Sequence, residues 1–315
     1  MTTLITGAGL IGTAYAQKAL ARGEDVAFFD PEPRADFIRL KLGDDAKVPL
    51  IRGDVRSLPD LIAAIQDTKA TTVLHTAGII GGKVDDILYA AMQINVQGTI
   101  NVAEAVRLTG VRRLVHLSTF GVYDMRRDVP KVIAEGFYRG HGRAYGNSKV
   151  AKELLLEAYQ AKYGFELVGV RPANVFGNGH FWSGSGGGGK IHEMVVAGVE
   201  GRPAQIPANQ TVVNEYIYSK DIGGIVDAAA TAPVPRQLWF NAGTGTLTPF
   251  DELVTLMKKF FPNFSYEVLP GKAGADRDSR LDISAAKEQL GWVPEYSLEQ
   301  ALADYIEEVK TRGAA

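Results

Sequence analysis

The chain of 315 residues contains no cysteine. Disulfides, thiolate zinc sites and cysteine nucleophiles are therefore excluded. An excess of charge of one sign is also missing, since 34 lysines and arginines stand against 36 aspartates and glutamates. A net charge of −2 provides no strong field to attract nucleic acid or an anionic membrane. We expect neither of these as a partner.

Long apolar runs are absent as well, and those present fall far short of a membrane span. The first three residues lead into an apolar segment without a basic region or a cleavage site, so we expect a cytoplasmic protein. The five histidines show no spacing typical of metal ligands, and no metal is predicted. One of them, His116, lies in an apolar segment and is expected to be a core residue with satisfied nitrogens.

Short β-rich segments alternate with helical periodicity through the first two thirds of the chain. The predicted strands are residues 4–6, 25–30, 48–52, 72–75, 113–118 and 166–171, and the predicted helices are residues 10–22, 95–108 and 145–163. This alternation is typical of βαβ units with a parallel sheet. Nearly continuous apolar strands fit burial on both faces. We therefore predict an α/β fold with a Rossmann-type, doubly wound parallel sheet.

The alternation stops after Arg171. The glycine-rich residues 184–189 predict a mobile loop. The region from residue 251 onward has mostly helical periodicity, and residues 237–241 are expected to return to the first sheet as a strand. We expect a Rossmann domain of residues 1–171 plus 222–245, and a smaller, mostly helical domain of residues 172–221 plus 246–315.

A glycine-rich turn follows the first predicted strand. Gly7, Gly9 and Gly12 have G-x-G-x-x-G spacing, which permits a tight turn and brings a pyrophosphate close to a helix N-terminus. Asp30 ends the next strand about 20 residues later, where a carboxylate can hold a ribose 2′-hydroxyl. Because Asp30 would repel a 2′-phosphate, NAD is predicted over NADP. The nearby Arg34 is interpreted as a solvated loop residue.

Asp54 follows the third predicted strand. Its carboxylate could accept a hydrogen bond from the adenine amino group of the cofactor. It could equally form an Asx turn or cap the following helix, as aspartate commonly does after a strand. Both interpretations remain open from the residues alone.

Tyr145 and Lys149 lie four residues apart at the start of a predicted helix, on one face and one turn apart. A lysine ammonium beside a phenol stabilises the phenolate and lowers the pKa of the tyrosine. This arrangement favours a general acid/base role for Tyr145. An amphipathic surface pair is the alternative for so common a spacing.

Further motifs stand in a fixed order around this pair. They are residues 75–78 (HTAG), 95–99 (NVQGT), 118–123 (STFGVY), 171–177 (RPANVFG), 281–287 (LDISAAK) and 290–294 (LGWVP). Their order and spacing resemble the NAD-dependent epimerase/dehydratase family, the extended short-chain dehydrogenases/reductases. The resemblance covers essentially the whole chain. The family usually has a G-x-x-G-x-x-G turn, and the turn here is one residue shorter.

The resemblance implies a role for each matched residue. Tyr145 is the implied general acid/base, Thr119 hydrogen-bonds the reacting oxygen, with Ser118 as second choice, and Lys149 holds the nicotinamide ribose. The residues implied for NAD binding are Gly7, Gly9, Leu10, Ile11, Gly12, Asp30, Asp54, Val55, Ala77, Gly78, Asn95, Tyr145, Lys149, Pro172, Asn174 and Val175. The residues expected to contact substrate are Ser118, Thr119, Arg143, Asn174, His180 and Phe181.

Three of these substrate residues carry open alternatives. Arg143, close to His141, could receive a carboxylate, or it could belong to a solvated basic loop. His180 and Phe181 could form a lid or pocket wall, while the aromatic residues here could equally belong to the core of the smaller domain.

The implied reaction is hydride transfer between a substrate carbinol carbon and nicotinamide, with Tyr145 moving the hydroxyl proton. Dehydratases and decarboxylases of the family carry carboxylates directly after the serine or threonine. Phe120 and Gly121 stand there in this chain, so dehydration is disfavoured. Family 4-epimerases carry a diphosphate-binding arginine where this chain has Asn214, although Arg277 or Arg280 could partly compensate.

We therefore expect an NAD-dependent oxidoreductase that acts on a sugar, a sugar acid or another small hydroxylated substrate. An NAD-retaining nucleotide-sugar 4-epimerase is the alternative. A cofactor-sensing protein without activity comes third, because such proteins commonly lose the tyrosine or the lysine. The resemblance also implies a homodimer built through the two helices that begin near Asn95 and Tyr145.

Overall fold

The computed structural model describes residues 1–140, 142–179 and 186–314. Its main sheet has seven strands, all parallel. Numbered in chain order and given in spatial order, they are Leu50–Arg52 (β3), Asp25–Asp30 (β2), Thr2–Thr6 (β1), Thr72–His75 (β4), Arg113–Leu117 (β5), Glu166–Pro172 (β7) and Trp239–Ala242 (β11). The predicted Rossmann-type sheet is confirmed, including the returning strand β11, which pairs with β7.

Helices cover both faces of this sheet. In chain order, the helices of the described residues, including those outside this sheet, are Leu10–Ala21 (α1), Ala35–Leu42 (α2), Leu58–Thr68 (α3), Lys83–Asp86 (α4), Leu88–Met92 (α5), Gly98–Thr109 (α6), Ala144–Tyr163 (α7), Gly186–Glu200 (α8), Ser219–Thr231 (α9), Phe250–Phe260 (α10), Ser284–Leu290 (α11) and Leu298–Arg312 (α12). Apolar side chains of α1 and α9 form one core, and those of α3, α6 and α7 form a second core on the opposite face. Among the described residues, no helix is long and apolar enough to cross a bilayer.

A second group of elements surrounds a third core, formed by α8, α10 and α12. Its strands are Asn174–Phe176 (β8), Asn214–Tyr218 (β10) and Leu247–Thr248 (β12) in one sheet, and Ala204–Pro207 (β9) with Tyr266–Leu269 (β13) in another. A last pair, Val132–Ile133 (β6) and Arg280–Leu281 (β14), joins the region after Tyr123 to the C-terminal part. This half therefore contains more strand than its periodicity predicts.

The glycine-rich segment differs from its predicted loop. Residues 186–189 form the first turn of α8. A Cβ on Gly187 would lie 2.7 Å from Oδ1 of Asn174, so glycine lets the helix start pack closely against β8. Tertiary packing thus overrides the low helix propensity of glycine at this point.

The order of the main sheet reverses between β1 and β4, since the chain runs from β1 outward through β2 to β3 and then returns to β4. In open parallel sheets the cleft at the carboxyl ends of two such strands is the usual ligand site. The glycine turn follows β1, and the segment that contains Ala77 and Gly78 follows β4. The fold therefore brings both motifs to the same edge.

Candidate active site

The glycine turn after β1 is closely packed. Gly7 has a φ of +91°, which residues with a side chain rarely adopt. A Cβ at this position would lie 2.7 Å from Oγ1 of Thr76, directly after β4. A Cβ on Gly12 would lie 2.7 Å from the carbonyl oxygen of Gly7. Packing therefore requires glycine at both ends of the motif.

The N-terminus of α1 remains accessible between these two positions. Among the described residues, no atom lies within 4 Å of a Cβ built on Gly9, and no side chain caps the helix. Uncapped N–H groups and the helix dipole favour an anion here. The side chain of Leu10 is buried in the core and that of Ile11 packs against it, so these two residues offer mainly their backbone. The shortened turn still fits a pyrophosphate.

Asp30 lies beside the glycine turn at the end of β2. Its Oδ2 accepts a hydrogen bond from the Ala8 N–H at 3.0 Å, and its Oδ1 accepts one from the Glu32 N–H at 2.9 Å. The carboxylate is thus held next to the turn, where a ribose would lie. Arg34 forms a 3.7 Å ion pair with Asp36, so this arginine already has a counter-charge.

Asp54 adopts the second of its two predicted arrangements. Its Oδ1 accepts a hydrogen bond from the Arg56 N–H at 2.8 Å, which closes an Asx turn, and the Arg56 side chain lies 2.5 Å from Oδ2. This hydrogen bond holds the pKa of the Asp54 carboxyl below its usual range. The side chain of Val55 is buried against Gly98. The contacts of Asp54 and Val55 with the cofactor stay predictions.

Asn95 is fully buried in a π-helical turn, Gln93–Gln97, and links two parts of the site. Its side chain accepts a hydrogen bond from the Ile79 N–H at 2.8 Å and donates to the Ile79 carbonyl at 2.9 Å and to Ser148 Oγ at 3.3 Å. These bonds fix the segment after β4, and a Cβ on Gly78 would lie 2.9 Å from Asn95 Oδ1. Asn95 therefore positions the segment of Ala77 and Gly78, and its own contact with the cofactor stays a prediction.

The predicted catalytic residues meet at the carboxyl end of β5. Thr119 precedes a 3₁₀ turn, where its Oγ1 accepts a hydrogen bond from the Gly121 N–H at 3.1 Å, and its hydroxyl is close enough to the Tyr145 phenol to act on the pKa of that group. Tyr145 lies in the first turn of α7. One turn later, Nζ of Lys149 lies 5.8 Å from the centre of the Tyr145 ring and donates to the Leu117 carbonyl at 3.0 Å.

The pKa values of this pair differ from the sequence-based expectation. Burial raises the pKa of the Tyr145 phenol to about 12, although the Thr119 hydroxyl opposes the shift. Burial also lowers the pKa of Lys149 to about 8, against the attraction of the Glu153 carboxylate. The expected lowering of the phenol pKa by Lys149 is therefore wrong for the chain by itself, because desolvation outweighs the nearby charge.

A buried ionic network lies below the catalytic helix. Glu153, on α7, accepts hydrogen bonds from Arg171 Nε at 2.9 Å and Nη2 at 2.8 Å, and from Arg139 at 3.1 Å. Ser118 Oγ donates to the same carboxylate at 2.5 Å. The Ser118 hydroxyl is thus engaged in the network. Its predicted role as a substrate residue, or as a replacement for Thr119, is not supported.

The residues after β7 lie where the two halves of the fold meet. Pro172, Asn174 and Val175 are all buried. The Asn174 amide donates to the Glu215 carbonyl at 3.1 Å and to Asn214 Oδ1 at 3.3 Å. Asn174 therefore joins β8 to β10, and Asn214 brings no charge to this part of the cleft.

Of the predicted substrate residues Arg143, His180 and Phe181, the structure describes only Arg143. The side chain of Arg143, directly before α7, is exposed. His180 and Phe181 lie outside the described residues, as does His141. Exposure of Arg143 agrees with the solvated alternative.

Comparisons with known proteins agree with this geometry. A model of the NAD-dependent epimerase/dehydratase family matches residues 3–243. A UDP-glucose 4-epimerase of Mycolicibacterium smegmatis is 32% identical over 320 residues, which span 98% of each protein. The chain belongs to the NAD-dependent epimerase/dehydratase family. The family, the extended short-chain dehydrogenase/reductase kind of enzyme and the use of NAD, all predicted from the motifs, are confirmed.

Other members of the NAD-dependent epimerase/dehydratase family show its breadth. A dTDP-glucose 4,6-dehydratase of Xanthomonas campestris is 26% identical over 97% of this chain and 92% of its own length. The crystal structure of Thermus thermophilus UDP-glucose 4-epimerase in complex with NAD has a TM-score of 0.85 and 24% identity, with 99% of each chain covered. At that identity the likeness concerns the fold.

The structure gives Arg277 a more prominent position than the sequence predicted. From the sequence, Arg277 was only a possible replacement for the diphosphate-binding arginine of family 4-epimerases. Its guanidinium carbon lies 4.2 Å from the centre of the Phe120 ring, next to Thr119 in sequence. Both terminal nitrogens are buried, and neither has a hydrogen-bond partner in the described part of the chain. Its segment shows no periodicity that predicts burial, so only the tertiary structure reveals this position.

A second buried group was also missed. Lys152 is buried beside the segment after β4, with Nζ 3.5 Å from the Ala77 carbonyl oxygen, and burial holds its pKa well below the usual range.

His116 is buried in β5, and its ring centre lies 5.2 Å from that of His75. Both nitrogens of His116 lack a hydrogen-bond partner among the described residues, so the expectation of satisfied nitrogens is wrong. No group of three metal-ligand side chains occurs within these residues either, and the absence of metal stays a prediction.

Proposed function

We propose that this family member oxidises or reduces a carbinol of a small hydroxylated substrate, with Tyr145 as the residue that moves the hydroxyl proton. The observation that carries the proposal is the placement of Tyr145 at the carboxyl end of β5 with Thr119, with Nζ of the buried Lys149 5.8 Å from the centre of the Tyr145 ring. A phenol and a hydroxyl that meet in this way can both reach one oxygen atom of a substrate. The cleft at the carboxyl ends of the strands supplies the place for that substrate.

The residues present fit NAD, which when bound supplies the hydride acceptor or donor. The glycine turn and the uncapped start of α1 would hold the pyrophosphate through backbone N–H groups. Asp30 would accept a hydrogen bond from the ribose. Ala77 and Gly78, held in place by Asn95, would line the adenosine side, and Lys149 would contact the nicotinamide ribose.

The protein groups divide the proton chemistry between them. Thr119 orients the reacting oxygen by a hydrogen bond. At neutral pH the Tyr145 phenol, with a pKa of about 12, carries its proton and can donate it to a developing alkoxide. For the reverse step the phenol must lose this proton more easily. The positive charge of Lys149 acts in that direction, since it favours the phenolate.

The substrate we propose is a sugar, a sugar acid or another small hydroxylated compound. The neutral Asn214 on the substrate side supports this choice, because a nucleotide diphosphate needs charge-assisted donors. The test incubates the pure protein with NAD and a panel of aldoses, uronates and hydroxy acids, and follows the absorbance of reduced cofactor. Steady accumulation of NADH with one of these classes is expected. Turnover of a UDP-sugar without net reduction of NAD would overturn the dehydrogenase proposal.

The second candidate is a nucleotide-sugar 4-epimerase that retains NAD. It is favoured by the relative of 32% identity, which is named a UDP-glucose 4-epimerase. Conversion of UDP-glucose to UDP-galactose by protein that copurifies with NAD, with no free NADH formed, would establish this activity. Product analysis by chromatography separates the two candidates directly.

We propose that the second half of the fold, around α8, α10 and α12, binds the substrate. We also propose a homodimer built through α6 and α7. Large apolar side chains are exposed on both helices, namely those of Leu108, Leu154 and Tyr163. Exposed apolar side chains on neighbouring helices favour association. Sedimentation equilibrium should give twice the monomer mass, and a monomer at micromolar concentration would contradict the proposal. The cytoplasmic location stays a prediction.

A further inference from the structure

Arg277 lies between β13 and β14, on the side of the cleft that faces the end of β5. Its Nε donates a hydrogen bond to the Ser279 carbonyl at 2.7 Å, which fixes the base of the guanidinium. The guanidinium carbon lies 4.2 Å from the centre of the Phe120 ring, a distance typical of a cation stacked on an aromatic ring. Because Phe120 directly follows Thr119, the charge lies next to the proposed site of reaction.

The terminal nitrogens of Arg277 have no hydrogen-bond acceptor in the described part of the chain. Nη1 and Nη2 are both sealed from solvent, and neither has a hydrogen-bond partner within residues 1–140, 142–179 and 186–314. Burial accordingly lowers the pKa of this arginine, against the attraction of Glu215. A buried cation that lacks acceptors is unfavourable unless a bound group provides them.

Glu215 is the carboxylate whose charge acts on Arg277, but it accepts no hydrogen bond from the terminal nitrogens of that arginine. Its Oε1 accepts a hydrogen bond from the Gly245 N–H at 2.9 Å, and its Oε2 accepts one from the Leu281 N–H at 2.8 Å. Glu215 therefore supplies a negative field that helps to keep the guanidinium charged, while its oxygens serve the backbone. Nη1 and Nη2 of Arg277 therefore remain available to donate hydrogen bonds to a bound group.

We propose that Arg277 binds an oxyanion of the substrate, so that the enzyme acts on an anionic substrate whose charged group lies close to the reacting carbinol. A guanidinium presents parallel N–H groups that match the two oxygens of a carboxylate or of a phosphate. The position beside Phe120 puts this anion near Thr119, as in a compact hydroxy acid or sugar acid. The inference rests on the proposed function and adds the substrate class to it.

The other basic residues expected on this side are less suited to the task. Arg143 and Arg280 are both exposed. An exposed arginine binds an anion weakly because water screens the attraction, whereas a desolvated one gains strength and geometric selectivity. The burial of Arg277 thus makes it a determinant of specificity and not a general source of positive field.

The test compares Arg277→Met and Arg277→Lys with the wild-type protein. Each is assayed with NAD and matched pairs of substrates that differ only in the acid group, D-galacturonate with D-galactose and D-threonate with threitol, and with UDP-galactose. For the acid of a pair, Arg277→Met is expected to lower kcat/KM about 10- to 100-fold, the loss typical of a charged hydrogen bond. The neutral analogue should change by less than about threefold, and Arg277→Lys should retain part of the preference.

Lys131→Met is the matched control. Lys131 is exposed and lies 2.5 Å from Asp278, so this variant removes a positive charge beside the same segment without touching the cleft. Its substrate preference should equal that of the wild type. Thermal unfolding in the absence of substrate gives an independent measure. Arg277→Met should have an unchanged or higher Tm, because it removes a buried charge that has no acceptor.

The outcomes separate the inference from the proposed function. Equal losses with acid and neutral substrates, or a marked fall in Tm for Arg277→Met only, would show a structural role and overturn the inference. A selective loss with UDP-galactose alone would show that Arg277 binds a diphosphate and would overturn the assignment of an acid group close to the reacting carbinol. If the wild type turns over none of these compounds, the proposed function fails. Calorimetric binding of D-galacturonate and of UDP to wild type and Arg277→Met then decides the inference, and the absence of any Arg277-dependent binding rejects it.

Discussion

Arg171 and Arg277 both hold buried guanidinium nitrogens beside the proposed site, one below the catalytic helix and one on the substrate side. Arg171 has partners for all its nitrogens, since Glu153, the Tyr123 hydroxyl and the Glu135 carbonyl accept its hydrogen bonds. Arg277 has one backbone partner and two buried nitrogens without an acceptor among the described residues. The first arrangement holds the helix rigidly on the sheet. The second leaves binding capacity unused by the protein, which is what a ligand site requires.

The largest effect is expected at Tyr145, in the first turn of the helix that Arg171 and Glu153 hold on the sheet. Tyr145→Phe should lower turnover by about 10²- to 10⁴-fold, because the proton can no longer be moved by the side chain. NAD affinity and Tm should change little. The assay follows NADH formation with the best substrate of the panel.

Tyr163→Phe provides the matched control for this substitution, because Tyr163 is the last residue of the same helix and is exposed. Its activity should equal that of the wild type. Unchanged turnover in Tyr145→Phe would remove Tyr145 from the mechanism and revive a role in cofactor sensing without catalysis.

The second effect concerns stability, and it tests the contrast directly. Glu153→Gln leaves Arg171 and Arg139 without their shared counter-charge in the interior. The free energy of unfolding should fall by about 3–5 kcal/mol, as for other broken buried ion pairs. Urea unfolding followed by circular dichroism measures the change.

Glu104→Gln is the control, since Glu104 forms a more exposed pair with Arg107 on the helix surface. A change of less than about 1 kcal/mol is expected there. If Arg277→Met destabilised the protein as much as Glu153→Gln, the contrast between the two sides would be wrong.

The smallest effect is a dependence of stability on pH. Burial lowers the pKa of Lys149 and of Lys190 to about 8, below the ordinary value of 10.5. The unfolded chain therefore binds more protons between these values, and stability is lost as pH falls from about 10.5 to about 8. Substitution of either lysine by methionine should reduce this slope by about 1 kcal/mol per pH unit.

Urea unfolding at several pH values within this window provides the measurement. Lys149→Met should also reduce turnover, because Lys149 lies beside the proposed acid/base, whereas Lys190→Met should affect the slope alone. Slopes in both variants that equal the wild-type slope would show that neither lysine is desolvated.

Local motifs predicted one side of this molecule much better than the other. The glycine turn, Asp30, Tyr145 and Lys149 follow from spacing, because a strand, a turn and a helix fix where neighbouring residues lie. The hydrogen bonds of Asn95 could not be predicted, since its sequence position cannot show that Ile79 and Ser148 use its polar atoms. The same limit applies to Asp54, for which the residues alone left an adenine contact and an Asx turn equally open.

The substrate side depends on segments that meet only in three dimensions. Phe120 and Arg277 are far apart in sequence, and Gly187 allows the start of α8 to pack against Asn174, where a side chain would not fit. Periodicity carries no information on such contacts. The expected loop and the secondary role given to Arg277 both reflect this.

By itself, the sequence determined the family, the parallel sheet and the pairing of a tyrosine with a lysine one helical turn later. The sheet and the pair depend on periods of two to four residues, which local geometry converts directly into neighbours. The family follows from the order of motifs along the chain. Only the tertiary structure decided which polar groups are used up and which remain available. That outcome depends on burial and on partners brought from distant segments, and it distinguishes Ser118 from Thr119 and Arg277 from Arg143.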